Sequence, residues 1–287
     1  MCDSDTTPLI VDTSLTRRTV VLGLSSVAAA CGLPGTAMAG NVVETDVTVK
    51  TVDGLADAAL FRPSNRGTFP AVLLWPDILG LRPVFREMGR RLAAQGYVVL
   101  VPNPFFRTRR APIVTGPFDF ADKVAVAKLF ELKAALTDDR IDSDTRAYIG
   151  FLDQQKQVDR RKGVGVQGYC FSGPYTFRAA ASLPGRVKAA ASFHGGGLVT
   201  KDPNSPHLLI PKAKASFLVA IAQNDDHNQP DAKDVLKASF AAAKRPAMVE
   251  VYPADHGWCV AGSQAYNEAA AERAWAELLK LYRANLT

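Results

Sequence analysis

The sequence predicts an α/β fold built on a doubly wound, mostly parallel sheet. Short continuous apolar runs at Ala71 to Trp75, Tyr97 to Val101, Val187 to Phe193 and Ser216 to Ile221 have the length of strands buried on both faces. Between them lie segments whose apolar residues recur at helical spacing. Strand, helix and strand joined by short loops require parallel pairing with a right-handed crossover. A third observation is the stretch Gly163 to Ala181, where a β-branched run, a glycine-flanked turn and a small-residue helix pattern follow one another without a gap.

The chain has 287 residues, 47% of them apolar and 22% charged, enough for one sizeable domain with a full core. Its formal net charge of +6 comes from dispersed basic residues. No run of Lys or Arg alternates with aromatics, so no nucleic-acid partner is expected. Cys2 and Cys31 precede the folded region and leave Cys170 and Cys259 within it, too few for a disulfide scaffold. Neither the cysteines nor His194, His207, His227 and His256 follow a zinc spacing, and no metal or other cofactor is expected.

Residues 1–39 have the layout of a signal peptide. Arg17 and Arg18 precede the apolar run Val20 to Ala30, and Ala37-Met38-Ala39 supplies a small-residue cleavage site. The apolar run is too short to span a membrane. The paired arginines resemble a twin-arginine export signal, which implies a periplasmic protein cleaved after Ala39, without a stable membrane anchor. Lipidation at Cys31 is the rival, but alanine stands where lipoprotein signals carry leucine. Residues 40–287 then form the folded domain, expected as a monomer.

Val43, Thr45, Val47 and Val49, the Asp53-Gly54 turn and the run Ala56 to Phe61 predict an N-terminal hairpin. After the Ala71 strand comes a helix bearing Val84, Met88 and Leu92, stopped by Gly96. The Tyr97 strand leads into an irregular loop from Asn103 to Phe118, then two amphipathic helices carry Val126, Leu129 and Phe130, and Tyr148, Phe151 and Leu152. Further on, Leu236, Phe240 and Ala243 mark one helix face, Met248 to Tyr252 a strand, and Trp275, Leu278, Leu279 and Tyr282 the last helix.

The turn Gly168-Tyr169-Cys170-Phe171-Ser172-Gly173 has the form of a nucleophile elbow with Cys170 at its tip. Sulfur suits that place, because a thiol at a helix N-terminus beside a histidine attacks as thiolate near neutral pH. A buried, inert cysteine is the alternative. Downstream, Asp226 and then His256 each follow a strand-like run. Nucleophile, acid and base in that chain order is the order of α/β-hydrolases. Ser172 is a poor rival nucleophile, since the residue two before it is not glycine.

Gly-Tyr-Cys-x-x-Gly, Asp-His-x-x-Pro ending at Pro230 and the late histidine resemble the dienelactone hydrolase family, over roughly Asn41 to Tyr282. The resemblance implies an α/β-hydrolase fold and a small-molecule lactone or ester substrate. It implies Cys170 as nucleophile, His256 as base and Asp226, rather than the neighbouring Asp225, as the group orienting His256. It further implies an oxyanion hole from the amides of Phe171 and Ile78. Asp77 falls where family members hold the resting thiol with a glutamate; a carboxylate capping the following helix is the other reading. Arg107 matches an arginine that contacts a substrate carboxylate, whereas Val260 replaces a second such arginine. Cys259, three residues after His256, is weighed as a disulfide partner of Cys170 against an inert thiol. The competing class of function is a non-catalytic binding protein on the same fold.

Overall fold

The computed structural model describes residues 41–287. The expected signal segment, its expected cleavage after Ala39 and Cys31 lie outside the described residues. Strands β1 (Val42–Thr51) and β2 (Gly54–Pro63) form the expected hairpin, pairing antiparallel through the Asp53-Gly54 turn. They are followed by β3 (Ala71–Trp75), α1 (Pro83–Ala94), β4 (Val98–Pro102), α2 (Lys123–Ala134) and α3 (Asp138–Asp153). The second half alternates β5 (Val164–Tyr169), α4 (Gly173–Ser182), β6 (Val187–Phe193), the one-turn helix α5 (Pro206–Leu209) and β7 (Ser216–Ala222). A short α6 (Gln223–Asn228), α7 (Ala232–Ala242), β8 (Ala247–Tyr252) and α8 (Glu268–Asn285) complete the chain.

The eight strands lie in the order β1-β2-β4-β3-β5-β6-β7-β8. Pairing is parallel from β4 through β8 and antiparallel where β2 meets β4. The strand order reverses beside β3, which makes the sheet doubly wound and puts the loops after β3 and β5 side by side at the carboxyl edge.

The period of two along each strand divides the core. In β3, Ala71, Leu73 and Trp75 join one cluster with Ile141, Tyr148 and Leu152 of α3, Phe177 of α4 and Phe240 of α7. Val72 and Leu74 face the other cluster, with Phe85 and Leu92 of α1 and Leu278 and Tyr282 of α8. Helix α1 buries Phe85, Gly89 and Leu92 and leaves Val84 and Met88 half-buried at the edge of the same cluster. Helix α2 departs further from expectation. Leu129 is buried, but Val124 and Phe130 are 66% and 54% exposed, so its apolar residues do not share one inward face.

One polar link crosses the interior. Gln167 on β5 is fully buried; its amide donates to Tyr169 Oη at 2.8 Å, and its carbonyl accepts from Tyr282 Oη at 2.9 Å. These bonds fix the Tyr282 ring, and Gly165 supplies the gap it occupies: a Cβ there would stand 2.7 Å from Cε1. Gly165→Ala should therefore destabilise the domain by about 1–3 kcal/mol, the usual penalty of overpacking, as measured by urea denaturation. An unchanged midpoint would show that Tyr282 shifts freely.

Candidate active site

The side chains that meet at the site sit just past the carboxyl ends of parallel strands: Asp77 and Ile78 after β3, Cys170 after β5, His194 after β6, Asp225 after β7 and His256 after β8. Strand lengths and pairing register thus bring together residues up to 179 positions apart in sequence.

The β5 turn is tight. Cys170 has φ 57°, a left-handed conformation that costs a non-glycine residue about 1–2 kcal/mol. Its neighbours enforce it. A Cβ at Gly168 would overlap the Ser172 carbonyl, and one at Gly173 would stand 2.5 Å from Ser192 Oγ and 2.6 Å from Gly195 Cα. Ser172 Oγ, fully buried, accepts from the Tyr169 amide at 2.9 Å and faces the carbonyls of Tyr169 and Trp75 at 2.9 and 3.1 Å. That hydroxyl ties the elbow to β3 and is not presented to a substrate. Cys170, in contrast, is partly exposed on a cavity.

His256 Nε2 lies 3.1 Å from Cys170 Sγ, and His256 Nδ1 lies 2.7 Å from Asp225 Oδ2. A carboxylate only accepts, so Nδ1 carries the proton of that bond and Nε2 faces the sulfur. The His256 backbone is held as well, its amide donating to Asn224 Oδ1 at 2.8 Å. Burial alone lowers the pKa of His256, but hydrogen bonds to Asp225 and Cys170 and their charges outweigh it and raise the pKa from 6.5 to about 10.

This arrangement corrects the choice between the adjacent aspartates. Asp226 does not reach His256; its carboxylate accepts from Lys233 Nζ at 2.8 and 3.0 Å. The reason is helical phase. Both residues lie on α6, where successive side chains point about 100° apart, so only one can face His256. The motif ending at Pro230 locates the loop correctly and misses the phase by one residue.

Two further expectations are corrected. Asp77 receives both terminal nitrogens of Arg82, at 2.5 and 2.8 Å, and the Leu79 amide at 3.0 Å. It neither bonds to Cys170 nor caps α1, whose N-cap residue is Arg82. Arg82 was not singled out from sequence, where only its spacing of five from Asp77 hints at the pair. Arg107 points away from the cavity into a bidentate pair with buried Asp144, both contacts 2.8 Å, and a further bond to Asp53. Its role is to tie α3 to the hairpin turn, and its side chain is 10% exposed.

The cavity, of about 850 Å³, is lined by Cys170, His194, His256, Ile78, Phe171 and Val260. Phe118, Phe120, Leu129 and Phe130 close it from the α2 side. Ile78 and Phe171, which the resemblance implies as oxyanion donors, both line the cavity, and among the described residues no carbonyl accepts from the Ile78 amide. His194, at φ 38°, is 1% exposed and packs its ring edge-on against His256 at 4.7 Å. Burial first, and the His256 charge second, hold it well below the usual histidine range. Cys259 is a free thiol beside Met88 and Trp275 in a separate cavity of about 550 Å³. It packs with the α1 and α8 side, while Cys170 packs with the α3 and α4 side.

An elbow cysteine, a histidine from the last strand's loop and an acid from the loop before it, on this sheet, define an α/β-hydrolase fold. The family model described as "Dienelactone hydrolase family" matches residues 56–286, and the chain belongs to that family of hydrolases acting on ester and lactone bonds. A Methylorubrum extorquens protein provisionally named a carboxymethylenebutenolidase is 26% identical, covering 98% of this chain and 97% of its own. A carboxymethylenebutenolidase of Rhodococcus opacus is 27% identical over 79% of this chain and 86% of its own. Among solved structures, one provisionally titled a dienelactone hydrolase, from Klebsiella pneumoniae, shares the fold with a TM-score of 0.74 and 24% identity, over 85% of this chain and 99% of its own.

The raised pKa of His256 gives a direct test. By imidazole NMR its ring should stay protonated through neutral pH and titrate near pH 10. Replacing the carboxylate in Asp225→Asn removes a contribution that favours the charged ring, so the midpoint should fall toward 6.5. Asp226→Asn should leave it in place; a fall in that variant instead would restore the other aspartate.

Proposed function

We propose that the protein hydrolyses a lactone or small carboxylic ester through a cysteine acyl-enzyme, with Cys170 as nucleophile, His256 as base and acid, and Asp225 as the group that orients His256. The observation that carries this is the relay itself: sulfur 3.1 Å from one ring nitrogen and a carboxylate 2.7 Å from the other. A binding protein that had lost its chemistry would have no need to hold Cys170 at φ 57° on an accessible cavity.

Attack begins with the Cys170 thiolate on the substrate carbonyl, His256 holding the proton. Amides of Phe171 and Ile78 are the donors for the oxyanion. As the C–O bond breaks, His256 Nε2–H protonates the leaving oxygen, which in a lactone stays tethered to the acyl group. Neutral His256 then takes a proton from water, hydroxide attacks the thioester, and the acid and free thiol are released. Asp225 keeps the ring in the tautomer and orientation that both half-reactions need.

The lining favours neutral substrates. Of its charged side chains, Arg82 is neutralised by Asp77 and Lys133 lies at the exposed rim of α2, while the apolar Val260 can pair with no carboxylate. With Arg107 withdrawn into its pair with Asp144, the site lacks an evident clamp for a carboxylated lactone. The names of the relatives point to such a substrate for those proteins; the cavity of this chain supports a less charged one. We also propose that the chain is exported through its twin-arginine-like N-terminus, testable by fractionation and N-terminal sequencing.

Cys170→Ala should abolish turnover of aryl esters with unchanged circular dichroism. Asp225→Asn should lower kcat by roughly 10²- to 10⁴-fold, as misorientation of the histidine does in related triads, and Asp226→Asn only a few-fold. Equal losses in the two asparagine variants would contradict the assignment. For substrate class, kcat/KM should favour a neutral lactone over a carboxylated one of similar size by about 10- to 100-fold, the cost of desolvating a carboxylate that finds no partner. A strong preference for the carboxylated lactone would mean that Arg82 releases Asp77 to bind it.

A further inference from the structure

Three donors of soft to borderline character meet at the floor of the cavity. One ligand atom each from Cys170, His194 and His256 lie within 4.8 Å of one another. All three residues line the cavity, so an ion has a path in. His194 is the informative member. It is 1% exposed, yet neither ring nitrogen has a hydrogen-bond partner. A buried polar side chain left unsatisfied is costly and calls for an explanation, and hydrolysis as described above gives this ring no task.

We propose that Cys170, His194 and His256 form a binding site for a thiophilic divalent cation, Zn²⁺ foremost, whose occupation reversibly silences the hydrolase. A cysteine and two histidines with a fourth position open to the cavity is a three-ligand zinc set, and sulfur with imidazole selects zinc over magnesium or calcium. Tetrahedral zinc with Zn–S near 2.3 Å and Zn–N near 2.0 Å sets its ligand atoms roughly 3.3–3.6 Å apart. The 3.1 Å from Cys170 Sγ to His256 Nε2 needs to open only slightly, and His194, within 4.8 Å of both, needs to close by at most about 1.5 Å.

The outer shell is already in place. Asp225 accepts from His256 Nδ1, the carboxylate–histidine arrangement that fixes the ligating nitrogen in metal sites. Binding places the Cys170 sulfur lone pair and the two imidazole lone pairs on the ion, and any proton on the sulfur or on Nε2 leaves to solvent. Nucleophile and base are then both occupied, and hydrolysis stops until the ion is withdrawn. The sequence conceals this site because its ligands come from three different strand ends, with no local spacing to recognise.

The test is metal binding to the full chain without substrate, so its failure would leave the hydrolytic reading standing, and an inactive hydrolase could still pass it. Cobalt(II) should give a thiolate-to-cobalt charge-transfer band and tetrahedral visible bands at one equivalent, displaced by zinc. Cys170→Ser should lose the charge-transfer band. His194→Phe, which keeps an aromatic ring of similar size, should weaken zinc binding by roughly 100-fold or more, since even outer-shell losses cost 10- to 100-fold. In the unaltered chain the imidazole nitrogen signals of His194 should shift as zinc is added, a readout independent of how the variants fold. Absence of the cobalt band at stoichiometric metal, equal zinc affinity in His194→Phe, or unshifted His194 signals would each overturn the proposal.

Discussion

The structure turns on the strained backbone at Cys170. Cys170 stands at φ 57° because β5 must end and α4 begin without a connecting loop, and the chain can do so only where Gly168 and Gly173 permit backbone contact. The strain of about 1–2 kcal/mol is small beside the burial of Phe171, Tyr175 and Phe177, which pack immediately after the turn. Ser172 adds a hydrogen-bonded bridge from the turn to the end of β3. What this achieves is orientation: the thiol emerges at the carboxyl edge of the sheet, where the loops after β7 and β8 deliver Asp225 and His256.

Around that point the electrostatics divide into two regimes. At the relay, Asp225 and His256 are each about one-third exposed, and in the proposed mechanism their coupling acts on the imidazole that carries the proton. Away from it, charges are spent on architecture. Arg107 and Asp144 bind α3 to the hairpin turn, and Arg82 and Asp77 lock the loop that carries Ile78. Both arginines would be natural ligands for an anionic substrate, and their commitment to internal carboxylates leaves an apolar chamber beside the thiol.

Much of this was legible in the sequence because it rests on local pattern. The hairpin, the buried strands β3 to β7, the elbow and the final helix follow from apolar periodicity and from glycine, and Cys170, His256, Ile78 and Phe171 line one cavity. What escaped was decided by phase and by partners. Asp225 and Asp226 differ by one step on a six-residue helix that had no apolar pattern to predict it. Arg107 and Asp77 have the right chemistry for their expected roles, but the sequence does not reveal that Asp144 and Arg82 stand closer. The inward turn of His194 likewise depends on a positive φ at a residue where composition predicts none.

The central claim is that chemistry passes through sulfur at position 170, and the most direct measurement is to catch the covalent intermediate. The full chain, mixed with an activated aryl ester and quenched in acid within the first turnover, would be digested and its peptides weighed. The account predicts an acyl adduct on Cys170, forming with a burst of aryl alcohol and decaying at the steady-state rate. An adduct on another side chain, or turnover with an unmodified Cys170 throughout, would contradict it.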